Sequence, residues 1–296
     1  MTELLQQLIN GLSLGAIYAL IALGYTLVYG VLRFINFAHS DVFMVGAFLG
    51  YYIGRLFPEG SLLGACAALV GAMLGCALLG MLIERLAYRR LRPAPTLNVL
   101  ITAIGVSLLL EYTCQLAFGA TPRTFPAVVP ASNISFAGLI VSSNQLLVIG
   151  VAFGLMMGLR WVVHRTRIGT AMRALSMNPR AASLVGINND VIIALTFGIG
   201  SALAGAGGVL YAINYPSIDP LMGVMPGLKA FVSAVLGGIG SIPGAAFGGL
   251  LLGSAETAVA ASSLSTYKDA IAFGILILVL LFRPTGLLGR NQMEKV

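Results

Sequence analysis

Long stretches of this chain carry almost no charge, and each is close to the length that a helix needs to cross a bilayer. Apolar runs occur near 10–32, 41–57, 61–83, 97–118, 145–163, 190–213, 244–261 and 268–283. About 20 apolar residues in a helix match the hydrocarbon thickness. The runs at 41–57, 244–261 and 268–283 are short, and need flanking residues or little tilt to span. Only 9% of the residues are charged, against about 25% in an ordinary soluble domain. A surface so poor in charge faces lipid. The stretch 226–242 is apolar but interrupted by Gly237, Gly238 and Gly240 and followed by Pro243. It reads as a ninth short span or as a half-helix dipping into the interior, because broken backbone at that depth needs protein or a water-lined cavity around it. The expected fold is an all-α polytopic membrane protein of eight to nine spans, with an inverted internal repeat and broken helices near the pathway. It forms one transmembrane domain over 1–296, in halves of about 10–160 and 190–290 joined by the loop 160–190.

Several function classes fall away. The net charge of +7 comes from basic residues lying between apolar spans without interleaved aromatics, which is not a nucleic-acid surface. Cys66, Cys76 and Cys114 lie inside apolar segments with no paired spacing, so neither a disulfide framework nor a metal site is expected. No phosphate-binding Gly-x-x-x-x-Gly-Lys-Ser/Thr loop is present; if ATP drives this chain, the ATPase is a separate chain. No basic segment precedes the first apolar run, so residues 1–9 read as a short mature terminus rather than a cleaved signal. No cofactor is implied.

The basic residues orient the spans. Arg33, then Arg85, Arg89, Arg90 and Arg92, then Arg160, Arg165, Arg167, Arg173 and Arg180, then Arg283, Arg290 and Lys295 fall on one side, thirteen of seventeen. By the positive-inside rule that side is the cytoplasm. The C-terminus is then cytoplasmic, while the N-terminus, 119–144 and 214–225 face outside. Five of those arginines lie in the single longest polar interruption, from Arg160 to Arg180, which suits a platform that receives another protein. Within it Asn178 is a good N-cap, Pro179 suits the first helical position and Gly186 suits the stop. A helix of about two turns over 179–185 would leave Ala181, Ala182, Leu184 and Val185 bare to water, which favours a partner groove.

Glycines recur every four residues at Gly46/Gly50/Gly54, Gly150/Gly154/Gly158 and Gly240/Gly244/Gly248, with pairs at Gly11/Gly15 and Gly71/Gly75. Such faces let helix backbones approach closely in lipid. One repeat is visible: Gly30 to Phe37 matches Gly208 to Tyr215 at an offset of 178, which carries Asp41 onto Asp219 and Met44 onto Met222. Asp occurs four times in the chain, so that match weighs more than the apolar ones. In this topology the copies leave helices running in opposite senses, as in an inverted repeat with its site between the halves.

The polar residues within this apolar frame are the pathway candidates: Asn36, His39, Asp41, Asn214, Asp219, Lys229 and Glu256. Asn36 and Asp41 read equally as capping residues, and Lys229 with Glu256 equally as a structural ion pair. Glu84 reads as a residue at an inner helix end beside Arg85, and Lys268/Asp269 as a rim pair. A hydrolase triad from His39, Ser40 and Asp41 is rejected, because adjacent residues do not converge on one reacting atom. Two other classes remain: an ion- or proton-coupled carrier with Glu111 or Glu256 as relay, and an intramembrane hydrolase using His39 or His164 and a Ser.

Arg180-Ala181-Ala182-Ser183-Leu184-Val185-Gly186 resembles the Glu-Ala-Ala-x-x-x-Gly loop by which bacterial ABC-importer permeases engage their ATPases, with Arg180 at the acidic position. Asn36-Phe37-Ala38-His39-Ser40-Asp41 resembles the Asn-Phe-Ala-His-Gly-Asp/Glu motif of the high-affinity branched-chain amino acid permeases, with Ser40 in place of Gly. Glu84 to Arg89, Gly169 to Ala174 and Ala234 to Gly244 are similar too. The resemblance covers nearly the whole chain and is to the H-type subunit family of the leucine/isoleucine/valine system. A urea or short-chain amide permease shares much of the pattern. It implies a transport subunit rather than an enzyme, in a bacterial inner membrane. The implied partners are an M-type permease in a heterodimer, two ABC ATPase subunits and a periplasmic amino-acid-binding protein that sets most of the selectivity. Arg173, Asn178, Pro179, Arg180, Ala181, Ala182, Ser183, Leu184 and Gly186 are then the expected ATPase-coupling residues.

Overall fold

A computed structural model describes residues 2–289 other than 131, 137 and 138; Arg290 and Lys295 of the basic tail lie outside the described residues. Among the described residues the chain is mostly helical. The helices are α1 (Thr2–Leu32), α2 (His39–Gly54), α3 (Leu62–Ile83), α4 (Thr96–Phe118), α5 (Ser143–Arg165), α6 (Arg167–Met177), α7 (Pro179–Leu184), α8 (Asn189–Asn214), α9 (Val224–Gly237), α10 (Ile242–Ala260) and α11 (Lys268–Phe282). Among the described residues, seven helical segments are long and apolar enough to cross a membrane: Leu5–Leu32, Leu62–Leu91, Thr96–Phe118, Ser143–Arg165, Asn189–Asn214, Ile242–Ala260 and Ser265–Phe282. The chain is a multi-pass membrane protein. α2 and α9 are shorter, at 16 and 14 residues. The ambiguous stretch 226–242 resolves into most of α9 and a tight turn, where Gly238 and Gly240 take positive φ. That turn folds α9 back against α10, with Gly237 packed on Gly244.

Four short strands decorate one end of the bundle. β1 (Arg123–Thr124) pairs antiparallel with β4 (Ser217–Ile218), tying the segment after α4 to the segment after α8. β2 (Asn133–Phe136) and β3 (Leu139–Ser142) form a hairpin ahead of α5.

α1 is the buried axis, and α8 lies antiparallel beside it, with Gly24 meeting Gly200 and Ile21 meeting Gly207. α1 also runs antiparallel to α10. A Cβ on Gly11 would sit 2.7 Å from Ser254 Cα, and one on Gly15 would sit 2.8 Å from Leu250 Cα, so only glycine permits this approach. With lipid outside, dispersion across such close backbones, not water exclusion, holds the pair. α8 runs antiparallel to α3 in the same manner, Gly205 facing Ala72 and Cys76 while Gly198 faces Met81. The remaining packing follows one pattern: α2 lies on α8 and α3, and α9 lies on α1 and α10. α4 and α11 are mostly exposed.

The glycine runs divide. Gly46 packs on Gly205, Gly50 on Val209 and Gly54 on Val128; Gly244 and Gly248 pack on α9. Gly150, Gly154 and Gly158 meet nothing within 4 Å, so that stripe does not hold helices together within the described chain. At the arginine-rich end α3 continues through a π turn, Glu84–Tyr88, and a 3-10 turn, Arg89–Leu91. Glu84 is buried and pairs with Arg92 rather than with Arg85. Arg92 also binds Asp190 at 2.6 Å, and Arg89 joins the same carboxylate. This knots the end of α3 to the start of α8.

Candidate functional site

The pathway candidates separate into two clusters at opposite ends of α1. The first forms where α1 turns into α2. Asn36 is buried and its Oδ1 accepts a 2.6 Å hydrogen bond from the Tyr88 hydroxyl on the π turn. His39 begins α2 and is 1% exposed. Its ring packs edge-on to Tyr25 at 4.7 Å. It fits because Gly24 has no side chain: a Cβ there would lie 2.5 Å from the imidazole Cε1. His39 Nε2 has no hydrogen-bond partner among the described residues. Asp41 is also 1% exposed and accepts a hydrogen bond from Ser107 of α4; Glu111 lies one turn further along α4. These three side chains are almost fully buried.

The second cluster joins α9, α10 and α11. Lys229 Nζ lies 2.5 Å from Glu256 Oε1 and 2.6 Å from Asp269 Oδ1. The Tyr18 hydroxyl donates to Glu256 Oε2 at 2.9 Å. The side chains of Lys229 and Glu256 are each 6% exposed, that of Asp269 39%. Charges placed this deep face a partner or a cavity because lipid cannot solvate them. Here they do both, since the trio forms part of the wall of a cavity of about 600 Å³. Each helix contributes one face at helical spacing: Asn10, Leu14 and Tyr18 from α1; Tyr211 and Asn214 from α8, with Tyr215 just beyond; Met225, Pro226 and Lys229 from α9; Glu256, Thr257 and Ala260 from α10. Gln145 of α5 and Lys268 with Asp269 of α11 complete it. Asn214 is steadied by a 2.9 Å hydrogen bond from its Nδ2 to Ser13 Oγ.

Of the seven candidates, the structure thus brings Asn36, His39 and Asp41 together, and Asn214, Lys229 and Glu256 together. Asp219 belongs to neither; its carboxylate accepts from the Leu221 backbone N–H at 2.9 Å and forms the turn before α9. Asp269, expected as a rim partner of Lys268, instead pairs with Lys229. Sequence reasoning missed Tyr18, Tyr88, Ser107 and Tyr211. The signal for Tyr18 was present: Asn10, Leu14 and Tyr18 recur every four residues on one helix face.

A third feature sits in the polar segment between α5 and α8. Asn178 Oδ1 accepts from the backbone N–H groups of Arg180 and Ala181, each at 3.0 Å, and Pro179 occupies the first turn. Gly186 ends the segment at φ +87°. Asn189 Nδ2 donates to the Pro179 carbonyl at 2.9 Å and fixes α7 against α8. Leu184 and Val185 are 87% and 76% exposed. Ala182 differs from expectation: it turns inward toward α6 and α8 and is 3% exposed, so it anchors α7 instead of belonging to its bare face. Ala181, Ser183, Arg180 and Arg173 remain exposed.

The family described as "Branched-chain amino acid transport system / permease component" matches residues 7–280. The chain belongs to this permease family. It is 46% identical to the high-affinity branched-chain amino acid transport system permease protein BraD of Pseudomonas aeruginosa, covering 99% of this chain and 98% of that protein. It is 44% identical to the permease protein LivH of the same kind of system in Escherichia coli, covering 99% and 97%. A probable branched-chain amino acid transport permease protein of Methanocaldococcus jannaschii is 30% identical over 91% and 88% of the two chains. The permease thus has relatives along its full length, and the two clusters and α7 all fall within the matched region.

Proposed function

We propose that this chain is the transmembrane permease subunit of an ATP-driven importer for branched-chain amino acids. The observation that carries this is identity of 44–46% over nearly the whole chain to proteins of that transport system. In this reading the chain forms one permease domain of the bacterial inner membrane. Its halves, about 10–160 and 190–290, are joined by the coupling loop 160–190, and α2 and α9 bring the crossings to nine. The arginine-rich end with the C-terminus is cytoplasmic and the N-terminus is periplasmic. The exchange of helix contacts supports an inverted repeat: α1 lies on α10 as α8 lies on α3, and α2 lies on α8 as α9 lies on α1. The antiparallel α1 and α8 give the two copies opposite senses.

ATP binding and hydrolysis take place on two separate ATPase subunits. α7 seats its exposed Leu184 and Val185 in an ATPase groove and transmits closure of the ATPase dimer to the spans. A second permease of the M type completes the pore, and a periplasmic binding protein delivers the amino acid near 119–144 and 214–225. The halves then rock about the buried α1–α8 axis and open alternately to the two sides.

Reconstitution tests the reading. Proteoliposomes holding the permease with its ATPases and binding protein should accumulate L-leucine only with ATP inside the ATPase compartment, and ionophores should not abolish uptake. Ionophore-sensitive uptake without ATP would replace it with an ion-coupled carrier. Leu184→Asp should leave membrane insertion intact and abolish co-purification of the ATPases; retained ATPase would remove α7 from the coupling role.

A further inference from the structure

We infer that the cavity walled by Lys229, Glu256 and Asp269 is a binding site within the permease for a free zwitterionic amino acid. This rests on the importer reading and adds to it a discrete station in the membrane, where the ligand is recognised by both of its charges. A path that only conducts molecules selected elsewhere has no need of buried charge, and burying charge is costly. Asp41 and Glu84 are buried as well, but Lys229, Glu256 and Asp269 wall a cavity. At about 600 Å³ the cavity lies within the range of roughly 300–1,000 Å³ common for small-molecule sites.

The trio is also chemically unfinished. Glu256 is closed, with one oxygen on Lys229 and the other held by Tyr18. Asp269 is open: its side chain is 39% exposed, and its Oδ1, within ion-pair distance of Lys229, has no hydrogen-bond partner among the described residues. Lys229 Nζ donates to Glu256 and lies 2.6 Å from Asp269 Oδ1, and a lysine ammonium has three N–H donors. One lysine between two carboxylates leaves one negative charge uncompensated, which a ligand ammonium at Asp269 would neutralise. The remaining N–H of Lys229, with Lys268 exposed at the mouth, offers two cations to a ligand carboxylate. The wall thus presents two positive and two negative groups, matched to a net-neutral molecule bearing one of each. Leu14 and Met225 line the same space and receive an aliphatic side chain. A static ion pair would bury the same charges without a cavity and without an open carboxylate.

The test uses the permease complex with its ATPases in lipid nanodiscs, without the binding protein, and L-leucine as probe, read by saturation-transfer NMR. L-leucine should bind. Leucinamide, which lacks the carboxylate, and 4-methylpentanoate, which lacks the ammonium, should each bind about tenfold more weakly or worse, since each loses a charge-assisted hydrogen bond. Asp269→Asn, partly exposed and tolerant of change, should weaken L-leucine by a similar factor while the complex elutes unchanged. Lys229→Met should abolish binding if it folds. Leucinamide binding as well as L-leucine would make this a cation site and overturn the inference, and so would unchanged binding in Asp269→Asn. Uptake by the wild-type system separates the two claims. Failure of leucine uptake refutes the importer reading, whereas normal uptake with no binding in nanodiscs refutes the site alone.

Discussion

Two polar clusters lie at opposite ends of the same helix, and they solve the problem of burying polar groups in opposite ways. Around Asn36, His39 and Asp41 the side chains are 1–4% exposed and neighbours fill the space: Tyr88 on Asn36, Tyr25 against His39, Ser107 on Asp41. Around Glu256 and Lys229 the charges are equally deep, yet they border a cavity. The difference lies in the helix surfaces. At the closed end α1 and α8 meet through Gly24 and Gly200, and the imidazole occupies the room that the missing side chains leave. At the open end Tyr18 of α1 and Tyr211 of α8, with Tyr215 just beyond α8, place large side chains at the wall. A polar residue in a span is therefore not by itself a pathway residue. The closed cluster reads as a joint that fixes the α1–α2 corner, and the open one as a place where a ligand can enter.

The comparison breaks first at Lys229. Lys229→Met leaves Glu256 buried without its cation and should cost about 3–5 kcal/mol, seen as a fall in the thermal unfolding midpoint in detergent. Lys229→Met with Glu256→Gln should recover much of that loss, because no bare charge then remains. A single variant melting with the wild type would show that the trio is hydrated and not a buried pair. The closed end should respond less. Tyr88→Phe leaves the Asn36 carbonyl unsatisfied at a cost of about 1–3 kcal/mol, measured in the same way, and should leave L-leucine binding unchanged. A selective loss of ligand binding from Tyr88→Phe would erase the distinction between the ends.

Gly24→Ala sharpens the point. The new methyl would press on the His39 ring and on the Gly200 carbonyl, and overpacking of this kind costs about 1–3 kcal/mol. Gly154→Ala, on a face that meets nothing within 4 Å, should not destabilise the isolated subunit. Equal melting of the two variants would mean that α1 and α8 are less tightly joined at Gly24 than the structure has them.

The multi-pass helical fold was legible in the sequence because hydrocarbon thickness constrains each run directly. The capping of α7 was legible because Asn178, Pro179 and Gly186 act on backbone within a few residues. What was hidden depends on contacts distant in sequence. Lys268 and Asp269 are neighbours in the chain, but consecutive helical residues do not face each other, and Asp269 reaches Lys229 instead. Glu84 likewise passes over Arg85 for Arg92, through the π turn that the apolar pattern does not announce. The run Gly150/Gly154/Gly158 has the spacing of Gly46/Gly50/Gly54, yet of these two runs only the latter packs on other segments of the described chain. Spacing shows that a close approach is possible, not what approaches. Ala182 was misjudged for a similar reason: on a two-turn helix, whether an alanine points in or out is decided by α6 and α8.

The smallest effect on stability should come from Asp269→Asn. The Asp269 side chain is 39% exposed, although the Oδ1 beside Lys229 is buried, and ion pairs with an exposed partner contribute about 0–1 kcal/mol. Glu256 and Tyr18 still satisfy the buried part of the network in this variant. The melting midpoint should therefore barely move, while the tenfold loss of L-leucine binding remains. That separation between stability and binding distinguishes an open cluster from a closed one, since in a closed cluster the same contacts set both. If Asp269→Asn destabilised the permease as much as Lys229→Met, the three charges would form one structural knot, and the two ends of α1 would differ only in the sign and number of their charges.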